Sequence, residues 1–336
     1  MDLPQGTTHQ PSHQPGERLR RFRGERSGLA QLTLVEHALC PLDSSLSLAE
    51  HFVYETAYPY TDQHGHTKFA KVTVSAPCGL SAKDEYLLWG LLALTFAQAQ
   101  PSIEFWATPH YCLRQLGCLP RSKGGVNYAD FRASIKRLAG VFYQCERFYD
   151  PIRGEFRDRG FGFLKYDLPA APASSRAWRI VWDPLFFEFC KATGGKLFFD
   201  LATYRQLDYA SRRLFLLLHK VFWRGDRSPR FDVRNLAVNV LGFSPTVDVR
   251  WLKVKLARCI ERLSEIGVVA LPPGLTRIQD LYEKKAKGSY AIQLRRGPYF
   301  DQQANATPLA ILPAALTDSP LYERSEERRV GKECRL

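Results

Sequence analysis

The chain has 336 residues, of which 45% are hydrophobic and 12% aromatic, enough for two compact domains with their own cores. A net charge of +13 with a pI near 9.4 favours an acidic partner, nucleic acid ahead of an anionic membrane surface. The longest apolar run, Tyr86 to Ala97, is too short to span a bilayer, and the polar opening MDLPQGTTHQPSHQPG lacks the apolar segment of a secretory signal, so a cytoplasmic location without membrane contact is expected.

Residues 1–30 are rich in Gln, Pro, Gly and His and then turn basic through Arg18, Arg20, Arg21, Arg23 and Arg26, a composition that favours disorder. From Lys68 the pattern sharpens. KFAKVTVSA alternates as a strand does. Ser81 and Asp84 form the start of a capping box for a helix through DEYLLWGLLALTFAQA. Ile103–Trp106 reads as a short extended piece, and Thr108-Pro109 opens a short helix that ends at Leu116-Gly117. After a loop with Arg121 and Lys123, Asn127 is expected to cap a third helix, YADFRASIKRLAG, stopped by Gly140. Its core stripe is Tyr128, Phe131, Ile135 and Leu138, and its other face carries Arg132, Lys136 and Arg137. VFYQCERFYD and RGFGFLKYDL, joined by a turn holding Arg153, with Arg157 close behind it, predict a hairpin. LPAAPASS (168–175) reads as a flexible connector. Trp178–Trp182 is a further strand, and Asp183-Pro184 opens another helix.

The second half repeats this order. Asp208–Trp223 is a long helix with an apolar stripe, Arg230–Val233 is extended, and a short helix ends at Leu241-Gly242 just as the earlier one ends at Leu116-Gly117. The helix Thr246–Gly267 follows, with Leu252, Leu256, Cys259, Leu263 and Ile266 on one stripe and Arg250, Lys253, Lys255, Arg258 and Arg262 on the opposite surface. Thr246 is expected to cap it. VVALPPGLT and SYAIQLRRG then form a second pair of extended runs with Lys284, Lys285 and Lys287 between them. A repeated order of helix, strand, helix, helix, hairpin predicts an α+β chain of two tandem winged-helix domains with β-hairpin wings. The expected organisation is an N-terminal extension with a basic tail (1–60), a first winged-helix domain (61–183), a second (184–300) and a C-terminal tail (301–323).

In such domains the third helix enters the DNA major groove and the hairpin reaches the backbone or a neighbouring groove. The expected DNA-binding set is therefore Arg132, Lys136, Arg137, Arg153 and Arg157 in the first domain and Arg250, Lys253, Lys255, Arg258, Lys284 and Lys285 in the second. Arg132, Lys136, Arg250 and Lys253 are the expected base readers, since Arg and Lys donate to guanine O6 and N7. Two domains joined through 168–183 would contact successive grooves of one long site.

The ordered blocks GLSAKDEYLLWGLLAL, NYADFRASIKRLAG, WRIVWDPLFFEF, FDLATYRQLDYASRRLFLLLHKVFW and LGF…RCIERLSEIG, across roughly residues 65–300, resemble the plasmid replication initiator proteins of the replication initiator protein A family. The resemblance implies a bacterial, plasmid-associated protein that binds repeated sites in double-stranded DNA at an origin. It also implies that the protein helps open the duplex and recruits host replication proteins, such as the replicative helicase or the host initiator. Some members form homodimers that repress their own gene and act in initiation as monomers. A winged-helix transcriptional regulator without a replication role is the alternative.

Enzymatic chemistry finds little support. A rolling-circle nickase needs two metal-binding His around a bulky apolar residue, and His64-Gly65-His66 has glycine there, in a polar stretch. No Gly-rich P-loop, G-x-S-x-G elbow or H-E-x-x-H site occurs. His110, Cys112 and Cys118 lack a second ligand pair at zinc-finger spacing. The eight cysteines form no C-x-x-C pair and several fall within apolar patterns, as expected of reduced buried thiols. A binding protein without cofactor or metal is expected. Finally, Arg324–Cys334, RSEERRVGKEC, resembles the in-frame translation of a sequencing adapter, so 324–336 is expected to be an artefact. Those residues hold five cations and three anions, and the remainder keeps a net charge of +11.

Overall fold

The computed structural model describes residues 28–61, 64, 66–119, 126–171, 176–275 and 277–306. The arginine-rich N-terminal tail, Arg121 and Lys123, most of the C-terminal tail and the adapter-like string lie outside them. Among the described residues no helix is long and apolar enough to cross a membrane.

The chain enters through β1 (Gly28–Gln31) and a one-turn helix α1 (Ser44–Ser47), then forms a ten-residue hairpin of β2 (Phe52–Thr61) and β3 (Thr67–Ala76). Helix α2 (Ala82–Phe96) follows, with the expected capping box: the Ser81 side chain accepts from the first-turn backbone and Asp84 accepts from the Ser81 N–H. This helix is apolar all round because it is buried all round, from Tyr86 through Thr95. Strand β4 (Glu104–Ala107) leads to α3 (Pro109–Gln115), capped by Thr108, and then to α4 (Val126–Ala139), which begins one residue before Asn127. Strands β5 (Phe142–Asp150), β6 (Glu155–Gly162), β7 (Leu164–Asp167) and β8 (Trp178–Trp182) come next, then α5 (Pro184–Lys191) under an Asp183 cap.

The first-unit hairpin forms as expected, β5 pairing with β6, but it is not the wing. Strand β5 also pairs with β3, giving a four-stranded sheet in the order β2-β3-β5-β6. The wing position is held by β7 and β8, in a separate sheet ordered β4-β8-β7. Because β7 and β8 pair with each other, the Pro/Ala-rich stretch between them in sequence does not link the two domains, and residues 172–175 of it lie outside the described residues. Two other expected boundaries move. The division after residue 60 falls inside β2, which pairs with β3 along its whole length. Helix α5 belongs with the first unit, where Phe186 meets Phe161, Phe163 and Trp182, and Phe189 meets Phe148.

The second unit is preceded by β9 (Lys196–Phe199), paired with β1, and by α6 (Leu201–Gln206). It comprises α7 (Tyr209–Phe222), β10 (Phe231–Asp232), a short α8 (Val233–Asn235) that widens into a π-helical turn over Leu236–Val240, and α9 (Val249–Glu265). Four short strands follow: β11 (Val269–Ala270), β12 (Glu283–Ala286), β13 (Ser289–Ile292) and β14 (Arg295–Arg296). Helix α10 (Tyr299–Ala306) closes the described chain. The second hairpin differs from its prediction. Strand β13 pairs with β12, and VVAL pairs instead with β14. Lys284 and Lys285 therefore lie in a strand and Lys287 in the tight turn after it.

Both units share one topology. The strand between the first two helices pairs with the last strand of the wing, in the orders β4-β8-β7 and β10-β13-β12. That is the winged-helix arrangement, twice, in an α+β chain. Residues 28–42 tie the two units together. The Ala38 N–H and the Thr56 hydroxyl both donate to the Asn239 carbonyl, in the π-helical turn, at 2.8 and 3.0 Å. The Lys220 ammonium meets Glu36 at 2.8 Å and the Leu32 carbonyl at 2.9 Å. In the buried seam Arg213 of α7 forms a two-pronged pair with Glu85 of α2 and donates to the Leu241 carbonyl at 2.7 Å.

Candidate nucleic-acid interface

Helix α9 is the longest helix of the second unit, and its burial follows its sequence period. Leu252, Leu256, Cys259, Ile260 and Leu263 are buried, each large apolar side chain stabilising the seat of the helix by roughly 1.5–3 kcal/mol. Asp248, not Thr246, caps it, accepting from the Arg250 N–H at 2.8 Å. The exposed face bears Arg250, Trp251, Lys255, Arg258, Glu261, Arg262 and Glu265. Arg262 is paired with Glu265 at 3.0 Å, so charge at the C-terminal end is locally balanced. Arg250, Lys255 and Arg258 form no ion pair with a described residue, Lys255 resting over the Phe243 ring at 5.2 Å, and all three are exposed to an outside anion.

Lys253 was expected among the base readers, and the structure moves it. Its ammonium sits 4.0 Å from the Tyr290 ring centre and 5.1 Å from that of Tyr282, against the wing. The Tyr282 hydroxyl also donates to the Lys253 carbonyl at 2.8 Å. Lys253 thus fastens β12 and β13 beside the first half of α9. On that hairpin Lys284 and Lys287 are exposed, while Lys285 shares Glu283, at 3.5 Å, with Arg230 at 3.8 Å. Helix α9 thus carries exposed Arg250, Lys255 and Arg258, and the wing that packs beside it on Lys253 carries exposed Lys284 and Lys287.

The first unit presents a different surface. Arg137 makes a two-pronged pair with the fully buried Asp84 at 2.7 Å and also donates to Ser134 at 3.0 Å, holding α4 onto the start of α2. This pairing commits Arg137 to holding the fold and not to the DNA-binding role expected of it. Arg132 is half-buried with its guanidinium 6.0 Å from the Trp178 ring centre. Lys136 alone of the three is exposed. Arg153 and Arg159 converge on buried Asp150 at 3.2 and 2.6 Å, organising the β5–β6 turn, and Arg157 pairs with Glu155 at 2.8 Å. Arg153 and Arg157 belong to the four-stranded sheet and not to a wing. The eleven expected residues therefore divide, with the free charge concentrated on the second unit.

Sequence reading passed over Trp251. It is 60% exposed in the first turn of α9, and its signal was a large apolar residue on the wrong side of the stripe. Five thiols match the expected buried character: Cys40, Cys112, Cys145, Cys190 and Cys259 are buried and free, with burial pushing Cys40, Cys112 and Cys259 up to about 12, whereas Cys78 is exposed and Cys118 half-buried. Among the described residues no three His, Cys, Asp or Glu side chains form a metal-binding group.

No protein-family model matches this chain, and no curated protein matches it by sequence. Among solved structures, selenomethionine derivatives of domain 2 and domain 3 of RctB are 16% identical with a TM-score of 0.50, covering 79% of this chain and 96% of that one. A second structure of RctB domains 2-3 is 13% identical with a TM-score of 0.46, covering 82% and 100%. The first likeness shows the fold: helices and antiparallel sheets of the winged-helix type.

Proposed function

We propose that this protein is a sequence-specific double-stranded DNA-binding replication initiator, which binds repeated sites at an origin and acts by binding, without covalent chemistry of its own. The observation that carries the reading is the set of exposed cations on a third helix, Arg250, Lys255 and Arg258, and on its wing, Lys284 and Lys287. A helix of this kind fits the major groove, where the first residues reach base edges and the wing meets phosphates. The ordered sequence blocks and the fold shared with RctB, a replication initiator, favour replication over a purely regulatory role.

In this mechanism phosphate neutralisation sets affinity and makes it fall steeply with salt. Arg250, at the helix start, supplies base discrimination by donating to guanine. Lys136 adds a contact from the first unit, whose orientation the buried seam fixes, so both units meet one long site. Bending or unwinding that site would help open the duplex, and surfaces outside the groove would recruit host replication proteins.

Footprinting of the purified chain on the DNA flanking its gene tests this directly. The expected result is a set of directly repeated protected sites of about twenty base pairs, two helical turns each. Protection of a lone inverted repeat would favour the regulator, and no protection across a range of salt would overturn both readings.

A further inference from the structure

A tryptophan with 60% of its surface in water is the one large apolar side chain on the exposed face of α9. A single exposed apolar residue is ordinary on a protein surface, so exposure alone assigns nothing to Trp251. Its neighbours make the difference. On a helix of 3.6 residues per turn, Lys255 at i+4 and Arg258 at i+7 flank the indole, with Arg250 one residue before it. All three cations are exposed. Of the nearby carboxylates, Asp248 is engaged by the Arg250 N–H as the helix cap at 2.8 Å, and Glu261 and Glu265 stand 10 and 14 residues beyond Trp251. The indole thus lies among the exposed cations of α9, at the end of a third helix that reaches base edges in winged-helix and related folds.

Nothing in the protein's own packing requires it there. The core of the second unit is filled by Leu252, Leu256, Ile260 and Leu263 from the opposite side of the same helix. Helix α4 offers no counterpart, since its early aromatic, Tyr128, is half-buried and bonded to His110 at 3.0 Å.

We infer that Trp251 is a specificity-determining residue that reads the C5-methyl group of a thymine in the major groove. The major-groove edge of thymine is the one apolar feature the four bases present there. A flat indole held between cations that engage phosphates and guanine would pack on that methyl and exclude water from it. The inference rests on the DNA-binding reading above and adds a recognised base to it.

The test uses the full chain and a random pool of 30-base-pair duplexes, prepared once with thymidine and once with deoxyuridine, which lacks only the methyl. Wild-type protein is expected to select a motif containing a fixed thymine from the first pool. On that motif, deoxyuridine should weaken binding roughly fourfold, the value of burying one methyl group. Trp251→Ala should bind thymidine and deoxyuridine duplexes equally and lose the preference at that position alone, while Trp251→Phe retains part of it. If Trp251→Ala kept the thymine preference, or the wild type ignored the methyl, the inference would be overturned with DNA binding intact. If the wild type selected no motif, the functional reading itself would fall, and the inference with it.

Discussion

Arg137 and Arg258 both project from third helices, and their surroundings give them opposite roles. Arg137 is 19% exposed and neutralises a carboxylate with no exposure at all. Removing one partner of such a pair leaves a buried charge without compensation, at a cost of about 3–5 kcal/mol. Arg137→Ala should lower the urea midpoint accordingly and leave base preference unchanged. Arg258 is exposed, and Arg258→Ala should change stability by less than about 0.5 kcal/mol. It should instead reduce the slope of log K against log salt by about 1. A shift of the urea midpoint with an unchanged salt slope would contradict that placement. His37 offers a check by pH. Burial lowers its pKa to about 4 against 6.5 in the unfolded chain, and its ring nitrogen meets the Tyr143 hydroxyl at 2.7 Å. Between those values the unfolded chain holds a proton that the native protein does not. The contribution to stability is complete above about pH 6.5 and declines as pH falls toward 4. In His37→Asn the urea midpoint should vary less across that window.

At the scale of elements, helices and several of their ends were legible in the sequence because their signals are local, although Thr246 yields the α9 cap to Asp248 and Asn127 lies inside α4. Ser81 with Asp84, Thr108 and Asp183 all cap as their spacing predicts. Both second helices end in a glycine with left-handed backbone, Gly117 at φ +65° and Gly242 at φ +81°. Each end also receives an arginine from elsewhere, Arg205 on the Gly117 carbonyl at 2.8 Å and Arg213 on the Leu241 carbonyl. A methyl group on Gly242 would fall 2.2 Å from the Arg213 guanidinium. Gly242→Ala should therefore cost more than about 1 kcal/mol from backbone strain alone, seen as a lower melting temperature. Strand partners were not legible. Alternation in VFYQCERFYD marks a buried face, but nothing within it says that the face pairs with β3, some 70 residues earlier. Lys253 was misplaced for a related reason: period puts it at the edge of the core stripe, and only the wing's return with Tyr282 and Tyr290 decides what covers it.

Across the whole molecule, the two winged-helix units are not beads on a linker. The stretch that composition marks as a connector does not link the two units, and the true junction is a buried seam closed by residues 28–42, whose sequence carries no motif for that task. Its central pair is Arg213 with Glu85, both almost fully buried. Glu85→Ala should destabilise the protein by about 3–5 kcal/mol and split a single calorimetric transition into two, as each unit unfolds on its own core. A variant that kept one transition at an unchanged temperature would show that the seam does not couple the units.

The seam fixes the orientation of two surfaces that differ in charge, and the second is proposed to dominate DNA binding. Fluorescence anisotropy with a duplex recovered by footprinting compares them. The triple substitution Arg250→Ala, Lys255→Ala, Arg258→Ala should weaken binding by roughly a hundredfold or more at moderate salt and lower the salt slope by about 2, one for each phosphate contact of Lys255 and Arg258. Lys136→Ala should lower it by about 1. Equal losses from the two, or full binding by the triple variant, would show that the second unit does not dominate.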